Sequence, residues 1–144
     1  EMSCDSNGMT KPTILPYCPE IRFRDIDAMG HVNNAVFLSY FEQARIHFFR
    51  QLVGERWDWR SKGILVARNE INYRLPVHLH HRIEIHVGVE HIGNKSFTLN
   101  YEVRCEEHVC ADALSVLVYY NHSERHSMNL PEEWVARLNE LLPS

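Results

Sequence analysis

The sequence predicts an α+β domain in which an antiparallel sheet of about five strands wraps around one long central helix, with a further helix at its C-terminal end. Three observations carry this reading. Phe37, Leu38, Phe41, Ala44, Phe48 and Leu52 recur at helical spacing, and Tyr40, Ile46 and Phe49 add apolar surface outside that stripe. A helix apolar over so much of its circumference is expected to be buried on several sides. From Ile64 onward the period changes to two, and the strand-like runs are joined by turns short enough to require antiparallel neighbours. At 144 residues, without repeats or low-complexity segments, the chain is long enough to bury one core.

Taken in order, residues 1–13 are rich in Ser, Asn, Gly and Asp and are expected to form a flexible N-terminal tail without function, leaving 14–144 as a single domain. Ile21 to Arg24, after Pro19, reads as a short edge strand. Asp25 to Asn34 has loop composition, with Gly30 free to adopt backbone angles other residues avoid. Asn33 or Asn34 is a candidate cap for the helix expected over Ala35 to Val53, and Gly54 is its stop. Trp57 and Trp59, in the loop Glu55 to Gly63, are expected to cover one end of the core.

Ile64 to Leu75 then forms the first long strand, ended by Pro76. Ile83, Ile85, Val87 and Val89 alternate with polar residues, as do Phe97, Leu99, Tyr101 and Val103, and Gly93-Asn94-Lys95 turns the chain between them. After the turn at Glu106-Glu107-His108, Val109 to Asn121 is apolar on both faces and should be the central strand. A polar stretch, Asn121 to Asn129, leads to the last helix, opened by Leu130-Pro131-Glu132-Glu133 and carrying Trp134, Leu138, Leu141 and Leu142 on one face.

Composition narrows the function. The net charge of −4 arises from 19 acidic and 15 basic residues without blocks of like charge, which argues against nucleic acid as a partner. Cysteines at positions 4, 18, 105 and 110 form no CxxC pair and are expected to be reduced, although Cys105 and Cys110 are placed to face each other across a hairpin. No apolar run reaches the ~20 residues of a membrane span and the N-terminus has no signal-peptide core, so the expectation is a cytoplasmic protein with no membrane partner. His78, His80 and His81 cluster on a turn but lack a defined fourth ligand, and no metal site is expected there.

The chemistry-bearing stretch is Asp25 to Arg45, where two carboxylates, an imidazole and two carboxamides stand at the start of the apolar helix. Free backbone N–H groups at a helix N-terminus favour a developing negative charge. Four words are specific: Arg24-Asp25-Ile26-Asp27, Gly30-His31-Val32-Asn33-Asn34, Tyr40-Phe41-Glu42-x-Ala44-Arg45, and Ala67-Arg68-x-Glu70-Ile71-x-Tyr73-x-x-Pro76. Through them the chain resembles the hot-dog-fold thioesterases over residues 17 to 122, in particular the 4-hydroxybenzoyl-CoA and YbgC-like acyl-CoA thioesterases and the related acyl-ACP thioesterases. The resemblance implies a homodimer or tetramer whose sheets join edge to edge, with active sites in the interface at the helix N-terminus. It makes Asp27 the catalytic carboxylate and, from the acyl-ACP branch, adds His31. Two departures stand out: Met29 occupies the place of that branch's Asn, and His78-Leu79-His80-His81-Arg82 replaces a turn where relatives often have Gly-Asp.

Thioester hydrolysis needs a group that attacks or activates water, donors for the carbonyl oxygen, and a slot for the acyl chain. Asp27 suits either attack, through a mixed anhydride, or general base catalysis toward water. Backbone N–H groups from Gly30 to Asn34, helped by the Asn33 amide or His31, are the expected oxyanion donors. Asp27, His31 and Asn33 are therefore the catalytic candidates, with Gly30, Asn34, Arg68, Asn69 and Tyr73 as substrate-binding candidates. Asp25 can also simply order the loop, and Glu42 is spaced to pair with Arg45. The expected activity is an acyl-CoA thioesterase without metal or organic cofactor. The alternatives are an acyl-ACP thioesterase, for which a basic docking patch is lacking, and a non-catalytic hot-dog module that binds acyl thioesters.

Overall fold

The computed structural model describes residues 13–55, 59 and 61–143. The expectations for the tail up to residue 12, including Cys4, and for Trp57 lie outside the described residues. The elements run α1 (Val36–Val53), β1 (Lys62–Tyr73), β2 (Ile83–Ile92), β3 (Ser96–Cys105), β4 (His108–Asn121), β5 (His126–Ser127) and α2 (Glu132–Leu141). The sheet order is β1-β4-β3-β2, every pairing is antiparallel, and the two-residue β5 pairs with the end of β4. With the long helix laid on this sheet, the chain has the expected hot-dog fold, and β4 is central as its two apolar faces predict.

One predicted strand does not form. Instead of a strand over Ile21 to Arg24, a single bridge joins Tyr17 to Ile85 of β2, through N–H···O bonds of 3.0 and 2.8 Å. Pro16 and Pro19 have no N–H to donate on either side of Tyr17, so the ladder cannot lengthen. The chain then curls into a 3₁₀ turn at Phe23–Asp25, where the Asp25 carboxylate accepts the Arg22 N–H at 2.9 Å. The fifth strand comes instead from the polar stretch after β4, as the short β5.

The core lies between α1 and the inner face of the sheet. Phe37, Tyr40, Phe41, Ala44, Phe48, Phe49 and Leu52 are buried on the helix, and Ile83, Ile85, Phe97, Leu99, Val103 and Leu117 oppose them. Burial of each such side chain contributes roughly 1.5–3 kcal/mol. Phe41 stacks on Tyr101 with ring centroids 4.7 Å apart. Trp134, fully buried on α2, meets Phe49 at 5.6 Å and Tyr119 at 5.1 Å. Trp59 touches both Phe49 and Trp134 and so covers this end of the core.

The helix is not buried all round. Leu38 and Ile46, expected to be covered, are each 42% exposed. They alternate with Glu42 and Arg50 along one outward line at four-residue spacing. The expected Glu42–Arg45 pair is also absent: Arg45 donates to the Tyr101 hydroxyl at 3.2 Å, and Glu42 has no ion pair among the described residues. Cys105 and Cys110 are buried thiols that hydrogen-bond to each other, and burial pushes Cys110 up to about 11.

Candidate active site

The loop before α1 is organised by its two aspartates. Asp25 holds the loop to the helix: its Oδ2 accepts the Tyr40 hydroxyl at 2.8 Å as well as the Arg22 N–H, and its carbonyl accepts the Asn33 N–H at 2.9 Å. Burial, then this bond, pushes the Tyr40 phenol well above its ordinary range, so Tyr40 remains a donor. Asp27 is half-buried and turns the loop back on itself. Its Oδ1 accepts the Met29 and His31 N–H groups at 2.9 and 3.1 Å, while its backbone N–H donates to the His31 carbonyl at 2.7 Å. Oδ2 accepts no hydrogen bond among the described residues, which leaves one carboxylate oxygen uncommitted. Gly30 sits at φ +85° at the tip of this turn, a conformation that costs other residues about 1 kcal/mol or more.

The entry to α1 is equally constrained. Asn33 does not cap the helix itself; its Oδ1 accepts the Ala35 N–H at 2.8 Å, one residue before the first helical turn. Across residues 29 to 38, N–H groups find acceptors within the loop, the helix start or Val77, with one exception. The Asn34 N–H has no acceptor among the described residues. On its other side, the Asn34 carbonyl accepts the Tyr73 hydroxyl at 2.8 Å, which ties the helix start to the end of β1.

A hollow of about 300 Å³ opens at this junction, and Asp27, His31, Asn34, Phe37 and Tyr73 all border it. Four of the sequence-predicted site residues are thereby brought together. Gly30 and Asn33 shape the loop without bordering the hollow. Arg68 and Asn69 lie elsewhere on β1, where Arg68 pairs with Glu70 and Asn69 accepts the buried Ser115 hydroxyl at 2.5 Å. The wall that sequence reasoning missed is Arg74 to Val77. Pro76, which ends the strand, is the signal that this segment turns toward the loop, and Val77 fixes it there by accepting the Val32 N–H at 2.7 Å. His78 follows, its ring edge-on to His31 at 5.0 Å. Among the described residues, no group of three or more His, Cys, Asp and Glu side chains is arranged to hold a metal ion.

A larger hollow, about 560 Å³, lies at the other end of α1 and is bordered by Ile46, Phe49, Trp59, Ile64 and Val66 together with Glu42 and Arg50. The helical rise puts Phe49 roughly 20 Å from Asn34, so the two hollows stand toward opposite ends of α1.

Residues 21–138 match the family model of the thioesterase-like superfamily. The chain belongs to that superfamily. By that membership it is a thioester hydrolase, and no described helix is long and apolar enough to cross a membrane. It is 26% identical to the long-chain acyl-CoA thioesterase FadM of Escherichia coli over 126 residues, 85% of this chain and 96% of that one. Identity to the uncharacterized protein YsmA of Bacillus subtilis is 31% over 81 residues, covering 56% of this chain and 54% of YsmA. Among solved structures, a Thermus thermophilus thioesterase complexed with coenzyme A and Zn is 35% identical, with a TM-score of 0.76 over 86% of this chain and 96% of that one. A Bacillus stearothermophilus protein described as a predicted thioesterase superposes with a TM-score of 0.81 at 25% identity, over 90% and 97% of the two chains.

Proposed function

We propose that the chain hydrolyses acyl-CoA thioesters to the free acid and CoA, with Asp27 as nucleophile or general base and the Asn34 N–H in the oxyanion site. One observation carries this reading: Asp27, with an uncommitted carboxylate oxygen, and Asn34, with an unengaged backbone N–H, border the same hollow. A carbonyl placed between them is attacked, by Asp27 or by a water that Asp27 deprotonates, while its oxygen turns toward the Asn34 N–H. A donor so aimed is worth about 3 kcal/mol. The His31 imidazole stands at the same hollow as a second donor. The thiolate leaves readily and takes up a proton from solvent. The kinship with FadM, named for long-chain acyl-CoA, and with a thioesterase complexed with coenzyme A supports CoA as the carrier. Cytoplasmic acyl-CoA is the pool this reaction draws on.

The functional unit is a homodimer, from which a tetramer can be built. Among the described residues β1 pairs with β4 alone, and its other edge is exposed from Leu65 to Glu70. Two such edges paired antiparallel bring the start of one β1 beside the end of the other. The larger hollow at Ile64 and Val66 then adjoins the partner's Tyr73 and Asp27 loop, and the acyl group lies there.

The test is CoA release from a panel of acyl-CoAs by wild type and Asp27→Asn. A fall in kcat of about 10²–10⁴ is expected, with the thermal transition retained. Single turnover in H₂¹⁸O tests the nucleophilic role, because label enters Asp27 only when water opens the anhydride at the aspartyl carbonyl, and a general base never acquires it; trapping the anhydride with hydroxylamine covers opening at the acyl carbonyl. Unaltered kcat in a folded Asp27→Asn would end the assignment.

A further inference from the structure

A third hollow, about 710 Å³, lies at the turn between β1 and β2, bordered by His80, His81, Arg82 and Arg104. It is joined to the candidate active site by a row of imidazoles. His31 borders the first hollow, His78 lies 5.0 Å from it, and His80 and His81 follow at 5.8 and 5.2 Å from His78. The row is held in place by backbone bonds. Val77 is tied to Val32, the His81 N–H donates to the His78 carbonyl at 3.0 Å, and the His78 N–H donates to His81 Nδ1 at 2.9 Å. That last bond sets the tautomer: with Nδ1 accepting, the proton of a neutral His81 sits on Nε2, so the ring is a hydrogen-bond donor without carrying charge.

The charges around this hollow are unevenly committed. Of the carboxylates, Glu20 pairs with Arg22 at 3.3 Å and Glu84 with His86 at 3.0 Å, which leaves Glu106. Of the cations, Arg104 is paired with Glu102, whereas Arg82 is exposed and has no ion pair among the described residues. An unengaged guanidinium beside imidazole donors is a donor set suited to phosphate oxygens.

We propose that the His78–Arg82 corner is a phosphate-binding site that holds the phosphorylated end of the thioester carrier, with Arg82, His80 and His81 as its donors. This rests on the acyl-CoA reading, since CoA carries phosphates at the far end of its pantetheine arm. The hollow begins two ring contacts from His31, within the reach of that extended arm. His78 separates the two hollows, so one carrier can place its thioester at Asp27 and its phosphate at Arg82.

The experiment compares one acyl group on CoA, on 4′-phosphopantetheine and on pantetheine, for wild type, Arg82→Gln and His80→Ala/His81→Ala. Calorimetric titration with CoA and with pantetheine runs in parallel. Arg82 and His80 are exposed, so Arg82→Gln is expected to fold. The variants are expected to lose about tenfold more kcat/KM on the phosphorylated carriers than on acyl-pantetheine, through KM, and to bind CoA about tenfold more weakly. A loss already full with 4′-phosphopantetheine assigns the site to the pantetheine phosphate; a loss seen only with CoA assigns it to the nucleotide phosphates. Equal losses on all three carriers, or none, overturn the proposal. Absence of turnover on every carrier would instead sink the thioesterase reading, and the titrations would still decide this one: CoA binding weakened selectively supports it, and unaltered CoA binding overturns it.

Discussion

The two ends of α1 solve different problems. At the N-terminal end, nearly every backbone donor is engaged: Asp27 takes three N–H groups, Asn33 two, Val77 one, and the single N–H unengaged among the described residues 29 to 38, on Asn34, points this end toward chemistry. Toward the C-terminal end, the helix leaves Ile46 beside an open hollow together with Glu42 and Arg50, whose side chains have no polar partner among the described residues. A reacting group has to be held by many short-range bonds, whereas a slot for a variable acyl chain needs only walls. The first can be built by ten consecutive residues; in the proposed dimer the second is completed by another copy of the chain.

The largest effect available on this contrast comes from removing the second copy. Leu65 and Val66 are exposed on the free β1 edge, 41% and 42% respectively. Leu65→Lys combined with Val66→Lys places like charges where two edges would meet, a device that keeps strands apart. The variant is expected to sediment as a monomer and to lose at least about tenfold in kcat/KM toward long acyl-CoAs, given the 1–3 kcal/mol carried by a few apolar contacts in a pocket. A wild type that is itself monomeric and fully active would break the comparison.

A smaller effect tests the anchoring of the N-terminal end. Tyr40→Phe removes the bond to Asp25 Oδ2 but leaves the Arg22 N–H on the same oxygen. The expected cost is about 1 kcal/mol, or a fall in Tm of roughly 3 °C, with a modest drop in kcat. Equal kcat losses in Tyr40→Phe and Asp27→Asn would mean that both aspartates serve catalysis alike, contrary to the division drawn here.

Much of this was legible in the sequence, and for physical reasons. The helix, the four long strands and the loop were carried by periodicity and by turn residues, signals that act over a few positions. Asp27, His31, Asn34 and Tyr73 were found by their motifs and do meet at one hollow. The strand at Ile21 to Arg24 was misread because β propensity was judged without weighing Asp25, whose carboxylate takes the Arg22 N–H as the chain curls into a 3₁₀ turn at Phe23–Asp25. The Glu42–Arg45 pair failed because Tyr101, 56 residues further along than Arg45, competes for the guanidinium, and no local spacing reports that. The Arg74 to Val77 wall was missed for the same reason: its place beside Asp27 is set by a bond from Val32 to Val77 across the fold.

The smallest effect concerns Arg74, which borders the candidate site yet is held from outside it. Asp112 on β4 pairs with Arg74 and also accepts the Asn72 amide at 2.9 Å; these bonds hold its carboxyl below the usual carboxylate range. A carboxylate depressed in this way contributes stability that is present above its unfolded pKa, about 3.9, and is lost as pH falls through the folded value. Arg74→Gln removes the first of the two partners. Between pH 5 and 8 the variant should therefore melt slightly below wild type, with the gap closing as the pH is lowered beneath about 4 and Asp112 is protonated in both proteins. The gap should be small because both side chains are substantially exposed and solvent screens the pair. A gap that persists unchanged at pH 3 would show that Arg74 stabilises the wall by packing rather than by charge. Acyl-CoA hydrolysis by Arg74→Gln would then report the geometry of the Asp27 hollow instead of its electrostatics.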